Sequence, residues 1–282
     1  MSAKVLIIGC GDLGTKIATD LQSLAYEVIG LRVSDQQLPA NIMRIQADVT
    51  QPETLSKLAQ IQPDYLIYCV AGSAKTSLDV DDNYRLHYVE GLRNVLATQQ
   101  ANPHLKHVFF VSSTRVYGQK TEAIIDETII AVATDAGGER LLEAENLIKN
   151  FPCGATVLRL SGIYGPGRTR MIKLAEQQDL WPAQNGWTNR IYRDDAAAFI
   201  VYLIKLLQQQ KTIADCYIVT DNQPTTQYQT LKWIADQKHQ IVDVMPLPVL
   251  GGKRLSNQRM LQTGFILHYP DYQVGYAALL AQ

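Results

Sequence analysis

The sequence predicts a doubly wound α/β domain followed by a smaller C-terminal lobe. Three observations carry this. Over the first 165 residues, near-continuous apolar, β-rich runs alternate with amphipathic helical patterns, the signature of a parallel sheet covered on both faces. Beyond residue 165 that alternation loosens into loop-like segments. The 282 residues, 46% of them hydrophobic, suffice for one large core with a lobe attached.

In chain order, "KVLIIG" reads as a buried strand and residues 13–24 as a helix. "EVIGLR" and "DYLIYCV" read as further strands, then residues 82–99 as a helix. "HVFFVSS", a helix over 138–149 and "ATVLRL" complete the first domain, expected over 1–165. In the lobe, expected over 166–282, "YGPGRTR" and "LWPAQNGW" read as loops, and a helix from Asp195 to Leu207 precedes one strand, "CYIVT", at about 215–221, returning to the main sheet. From "DNQPTT" onward a small α/β lobe with two or three helices is expected.

The formal net charge is −1 and no block of Lys or Arg appears, so no nucleic-acid partner is expected. No apolar segment approaches the roughly 20 residues of a membrane span. The start, Met1-Ser2-Ala3-Lys4 before a short apolar run, is unlike a signal peptide. Cys10, Cys69, Cys153 and Cys216 lie far apart, mostly within or beside apolar runs, and read as buried reduced thiols of a cytoplasmic protein. His104 and His107 form an HxxH, but on a strand that spacing separates the rings onto opposite faces, so no metal site is expected.

The stretch with most chemical content is "IIGCGDLG". A buried strand runs into Gly9, Gly11 and Gly14, and an amphipathic helix follows. Gly9 permits a tight turn, Gly11 lets a diphosphate approach backbone N–H groups, and Gly14 lets the helix pack on the strand. The helix start then faces the phosphates. At the end of "EVIGLR", where an NAD-selective site offers a carboxylate to the ribose, the chain has Leu31-Arg32-Val33-Ser34. Arg32 reads either as a partner for a 2′-phosphate, which favours NADP while NAD remains an alternative, or as a solvated strand-end residue.

Taken with these, the chain resembles the extended, epimerase/dehydratase-like branch of the short-chain dehydrogenase/reductase superfamily, whose nucleotide-binding domain is of the Rossmann type. The likeness is carried by "ADVTQP", "YCVAG", "YVEGLRNVL" with Tyr88 where Asn is usual, "VSSTRVYG", "LRLSGIYGPG", and "NRIYRDDAA" with Tyr192 in place of His. It implies a cofactor set of Gly9, Gly11, Asp12, Leu13, Gly14, Arg32, Asp48, Val49, Val70, Ala71 and Gly72, with Asp48 at the adenine and Val70, Ala71 and Gly72 on the nicotinamide side. Ser113 falls at the catalytic serine and Thr114 beside it at the substrate.

The resemblance also exposes a departure. Members carry Tyr-x-x-x-Lys about 25 residues after the serine, the Tyr exchanging a proton and the Lys holding it ready. Here the segment is "ATDAGGERLLEAEN". Anchored on Glu145, the positions fall on Gly137 and Leu141; shifted by one, on Ala136 and Arg140. Neither register supplies the pair, and guanidinium does not release a proton near neutral pH. The expectation is an atypical member in which Tyr117 or Tyr164 serves as substitute acid or is packed for structure.

Asp194 and Asp195 precede "AAAFIVYLIKLL" and read as helix caps. Arg168 and Arg170 in "GPGRTR", and Lys253, Arg254 and Arg259 in "GGKRLSNQRM", read as anion contacts or solvated charges. The function expected is an NAD(P)-dependent epimerase/dehydratase or reductase acting on a nucleotide sugar or related small hydroxylated or carbonyl molecule, in a homodimer. The alternative is a non-catalytic NAD(P)H sensor.

Overall fold

The computed structural model describes residues 2–72, 77–119, 121–242 and 247–281. Seven strands build its main sheet: β1 (Lys4–Ile8), β2 (Glu27–Arg32), β3 (Met43–Gln46), β4 (Tyr65–Tyr68), β5 (His107–Ser113), β6 (Gly154–Leu160) and β7 (Cys216–Val219). Their order is β7-β6-β5-β4-β1-β2-β3. β1 runs parallel to both β2 and β4, β2 to β3, and β4 to β5. The order reverses at β1, and in open α/β sheets ligands bind at the carboxyl ends of strands beside such a reversal.

The central strands are buried on both faces. Val5, Leu6, Ile7 and Ile8 of β1 are all 0% exposed, which is why the run has no polar alternation. Helix α1 (Asp12–Ser23) buries Leu13, Gly14, Ile17, Ala18 and Leu21, one stripe at helical spacing, and Ala25 in the left-handed region turns the chain into β2. The helical run 80–99, α2, has a π-helical middle over Arg85–Glu90. Helix α3 (Ala136–Lys149) buries Gly137, Gly138, Leu141, Ala144, Glu145 and Ile148, and α4 covers Arg193–Gln208.

The chain forms two compact units interleaved in sequence. The first comprises Met1–Gln119, Ala131–Arg159 and Ala197–Tyr217; the second comprises Lys120–Ile130, Leu160–Ala196 and Ile218–Gln282. In the second unit, Gly162–Tyr164 pairs with Arg190–Tyr192, Asn185–Thr188 with both Thr225–Thr226 and Val249–Gly252, and Arg254–Leu255 with Ile124–Ile125. Its core is aromatic: Tyr164, Trp181, Tyr192, Tyr228, Tyr272 and Tyr276 are all buried in one cluster.

Several local expectations are corrected. β3 was not foreseen, because as an edge strand it buries only Ile45 and shows no apolar run. "LWPAQNGW" is not all loop: Asn185–Thr188 is a strand, stabilised by partners 37 or more residues away. "YGPGRTR" ends in a helix, Arg170–Ala175. Cys10 and Cys216 are buried, but Cys69 and Cys153 are only half-buried. Among the described residues no helix is long and apolar enough to cross a membrane.

Candidate functional site

The turn between β1 and α1 is built by backbone contacts that tolerate no side chain. Gly9 has φ +95°, and a Cβ there would sit 2.8 Å from the backbone of Cys69 and Val70. A Cβ on Gly14 would lie 2.4 Å from the Gly9 carbonyl oxygen. The Leu31 carbonyl accepts the N–H groups of Gly9 and Cys10 at 3.0 and 2.8 Å, tying the turn to β2, and Gly11 N–H donates to Gly9 O at 2.7 Å. Gly11 is the exception: nothing lies within 4 Å of where its Cβ would stand. It is also the N-cap of α1 and, being glycine, offers no side chain to the first-turn N–H groups. An uncapped helix start opening onto free space is what a diphosphate requires, so these residues fit the cofactor that the glycine pattern implies. Asp12 and Leu13 open the helix beside it.

Arg32 stands at the end of β2 with Nη2 donating to Gln36 Oε1 at 2.9 Å, while its buried Nε has no partner among the described residues. A buried orphan donor at that point suits an anionic oxygen. Asp48 follows β3; its Oδ1 accepts from the N–H and hydroxyl of Thr50 at 2.9 and 2.8 Å, and Val49 is buried beside it. Val70, Ala71 and Gly72 follow β4. Beneath the glycine turn, burial pushes the Cys10 thiol up to about 12 against the opposing pull of Arg32, and pushes Cys69 higher still. Neither thiol is a nucleophile at neutral pH.

At the end of β5, Ser113 Oγ accepts the Arg115 N–H at 3.1 Å and caps the short turn Thr114–Val116. Thr114 is buried. Asp135 caps α3 through Gly138 N–H at 2.8 Å, and the same Oδ1 accepts from Arg115 Nε at 2.8 Å. Arg115 Nη1 donates to the Tyr84 hydroxyl at 2.9 Å. The guanidinium therefore lies against Gly137: a Cβ there would be 2.7 Å from Arg115 Cζ. Tyr84 stacks on Tyr88 with ring centroids 4.9 Å apart. The Tyr88 hydroxyl is pushed up to about 12 by burial and the neighbouring Tyr84, while the Gly72 backbone N–H acts in the opposite sense. Gly72, Tyr88, Tyr84, Arg115 and Gly137 thus form one chain of contacts. Sequence reasoning missed Tyr84 and Arg115, although Arg115 lies inside "VSSTRVYG" and Gly137 leaves room for it.

Of the two tyrosines singled out from sequence, Tyr117 is 1% exposed and its hydroxyl accepts from Arg159 Nη1 at 2.7 Å. Arg159 in turn pairs with buried Glu145, which also accepts from Ser112 at 2.7 Å. Tyr164 sits in the second unit's aromatic core against Tyr192 and Tyr276, its hydroxyl pushed well above the usual phenol range by burial.

In that unit a cavity of about 770 Å³ is lined by Arg168, Arg170, Lys173 and Arg190, among others. Arg190 is 6% exposed and its Nη1 has no hydrogen-bond partner among the described residues. Arg254 lies over the Trp187 ring at 5.2 Å and donates to the Glu122 carbonyl. Arg259 pairs with Glu127 at 3.7 Å. The helix-cap reading of Asp195 is corrected: its carboxylate instead accepts the N–H groups of His268 and Tyr269, at 2.9 and 2.8 Å. Asp194 pairs with Arg193.

Asp221 gives a pH-dependent prediction. It is 1% exposed, and Oδ2 has no hydrogen-bond partner among the described residues. Burial pushes its carboxyl up from 3.8 to about 7, with Arg190 pulling the other way. Between those values the folded state holds a proton the unfolded chain has lost, so stability falls as pH rises through that window. Asp221→Asn is expected to stabilise at pH 8 by on the order of 2–4 kcal/mol and to do little near pH 4. Urea denaturation at the two pH values checks this; equal effects at both would contradict it.

Three comparisons place this geometry among known proteins. The model of the NAD dependent epimerase/dehydratase family matches residues 5–214. A structure of a candidate NAD-dependent epimerase/dehydratase from Methylobacillus flagellatus is 48% identical, covering 100% of this chain and 98% of that one, with TM-score 0.90. The UDP-glucose 4-epimerase of Thermus thermophilus, in complex with NAD, superimposes with TM-score 0.78 over 97% of this chain and 98% of that one; at 17% identity the likeness is one of fold. Protein YeeZ of Escherichia coli K12 is 27% identical over 175 residues, 58% of this chain, and the match spans 60% of that curated relative's length. On the extent of the family match, with the parallel sheet and glycine turn described above, the chain belongs to the NAD dependent epimerase/dehydratase family.

Proposed function

We propose that this protein binds a nicotinamide dinucleotide at the turn between β1 and α1 and acts on a small hydroxylated or carbonyl substrate, a nucleotide sugar or a close relative, without the usual Tyr-x-x-x-Lys pair. The observation that carries this reading is the uncapped start of α1 over the open space at Gly11. In this reading Gly9, Gly11, Asp12, Leu13 and Gly14 hold the diphosphate, Asp48 and Val49 border the adenine, and Val70, Ala71 and Gly72 border the nicotinamide, which when bound supplies or accepts the hydride. Ser113 and Thr114 orient substrate. Tyr117 and Tyr164 have their hydroxyls engaged, by Arg159 and by the Asp271 carbonyl, and neither serves as the acid in this reading. Within the second unit, Arg168 and Arg190 line that unit's own cavity and are donors of the kind a phosphate group takes. Arg254 is committed to the Glu122 carbonyl.

Arg32 supports a preference for NADP, since its orphan Nε is free to meet a 2′-phosphate. Arg32→Ala is expected to weaken NADP binding by about 10- to 100-fold, the value of one charge-assisted hydrogen bond, and NAD binding by much less. Calorimetry with both cofactors checks this. Equal losses for both would remove Arg32 from selectivity.

The activity is tested by incubating the protein with NAD or NADP and UDP-glucose, with chromatographic detection of altered sugar, in wild type and Ser113→Ala. Turnover lost in the variant with cofactor affinity kept supports the reading. Cofactor binding with no turnover of any sugar nucleotide, ketone or aldehyde favours the sensor, a reading motivated by the bare backbone at Gly137.

A further inference from the structure

We propose that Tyr84 and Arg115 together replace the absent Tyr-x-x-x-Lys pair, Tyr84 as the group that exchanges a proton with substrate oxygen and Arg115 as the residue that positions it. This rests on the functional reading above, and it names the proton donor that reading leaves open.

The observations converge on one spot. Position 137 has no side chain, and the space beside it is taken by the Arg115 guanidinium. That guanidinium is fixed in orientation: Nε is held by Asp135 at 2.8 Å, and Nη1 donates to the Tyr84 hydroxyl at 2.9 Å. Among the described residues the Tyr84 hydroxyl accepts this bond and donates to nothing, so its own proton is the free one. Its ring is braced on one side by Tyr88, 4.9 Å away, whose hydroxyl meets the Gly72 backbone on the proposed nicotinamide side of the turn. Arg115 also donates its backbone N–H to Ser113 Oγ, so the serine and the new pair share one short turn.

The chemistry follows from what each group can do. Guanidinium stays charged and cannot carry the proton, but a phenol can give or take one. In the reducing direction the Tyr84 O–H bond breaks and a new O–H bond forms on the substrate oxygen. The electron pair stays on the phenolate, facing the guanidinium, while the reduced nicotinamide dinucleotide is the hydride source for the adjacent carbon. The reverse direction returns the proton to Tyr84. A permanent cation bonded to the phenolic oxygen stabilises the charge left there, the service a lysine gives elsewhere. Asp135 keeps the guanidinium from swinging away.

The test begins without cofactor. The full-length protein is treated with benzenesulfonyl fluoride, and labelled tyrosines are mapped by peptide mass spectrometry; the label forms a sulfonate ester at the phenolic oxygen, with fluoride leaving and the proton passing to buffer. Tyr84 is expected to be labelled in wild type, about tenfold more slowly in Arg115→Met, and at an intermediate rate in Arg115→Lys, which keeps the charge. In whatever turnover is detected, Tyr84→Phe is expected to lower kcat by about 10²- to 10⁴-fold with KM and NAD affinity within a few fold. Tyr84 labelling unchanged in Arg115→Met, no labelling of Tyr84 while exposed tyrosines react, or full kcat in Tyr84→Phe would overturn the proposal. Thermal unfolding of each variant guards against a folding defect, since Tyr84→Phe loses only one hydrogen bond. Absence of NAD binding in wild type would sink the functional reading while leaving the labelling result to stand by itself.

Discussion

Gly11→Glu is expected to abolish dinucleotide binding while leaving the fold intact. Nothing lies within 4 Å of the Gly11 Cβ position, and φ at Gly11 is −82°, outside the left-handed region that favours glycine. A carboxylate at a helix N-cap is itself compatible with folding. It would, however, occupy the same first-turn amides as the diphosphate and oppose it with like charge, worth about 4 kcal/mol at 4 Å in a partly screened site. NAD affinity should fall by at least about 100-fold, with the melting temperature of the free protein within a few degrees of wild type. Gly14→Ala makes the contrast: its Cβ would lie 2.4 Å from the Gly9 carbonyl, so stability and binding should fall together. Calorimetry and thermal unfolding on the two variants separate the cases. Unchanged NAD affinity in Gly11→Glu would move the cofactor away from this turn.

The second large effect is structural and concerns a buried ion pair between α3 and β6. Glu145 is 1% exposed; its two oxygens accept from Ser112 at 2.7 Å and from Arg159 at 3.0 and 2.6 Å. Arg159 also donates to Tyr117 at 2.7 Å and lies 4.9 Å over its ring. Arg159→Met would leave a buried carboxylate without its cation, a loss of about 3–5 kcal/mol. For a protein of this size that is a drop of roughly 5–8 °C in melting temperature. Adding Glu145→Gln to Arg159→Met should recover part of the loss, because the stranded charge is then gone. A single variant indistinguishable from wild type in urea denaturation would refute the assignment. The network joins Ser112, next to Ser113 on β5, to the helix that carries Gly137 and Leu141.

Much of this architecture is legible in the residues themselves. The central strands are legible because burial on both faces forces unbroken apolar runs such as Val5–Ile8. The glycine turn is legible because backbone approach at Gly9 and Gly14 admits no side chain. What escaped depends on distant partners. β3 owes its place to an edge ladder with β2 rather than to its own pattern. Asp195 resembles a local cap, yet its partners are 73 and 74 residues ahead. Arg115 could be read as one more charge in a motif; only the fold lays it on Gly137, 22 positions later, and on Tyr84, 31 positions earlier. The absence of a side chain at Gly137 was visible in sequence, but the group that fills the space was not.

The central claim is that the turn from β1 to α1 holds a nicotinamide dinucleotide by its backbone amides. Isothermal titration calorimetry of the wild-type protein and Gly11→Glu with NAD and NADP tests it most directly. Saturable one-site binding in wild type that disappears in the variant is the predicted result. No heat in wild type with either cofactor, or the same affinity in both proteins, would contradict it.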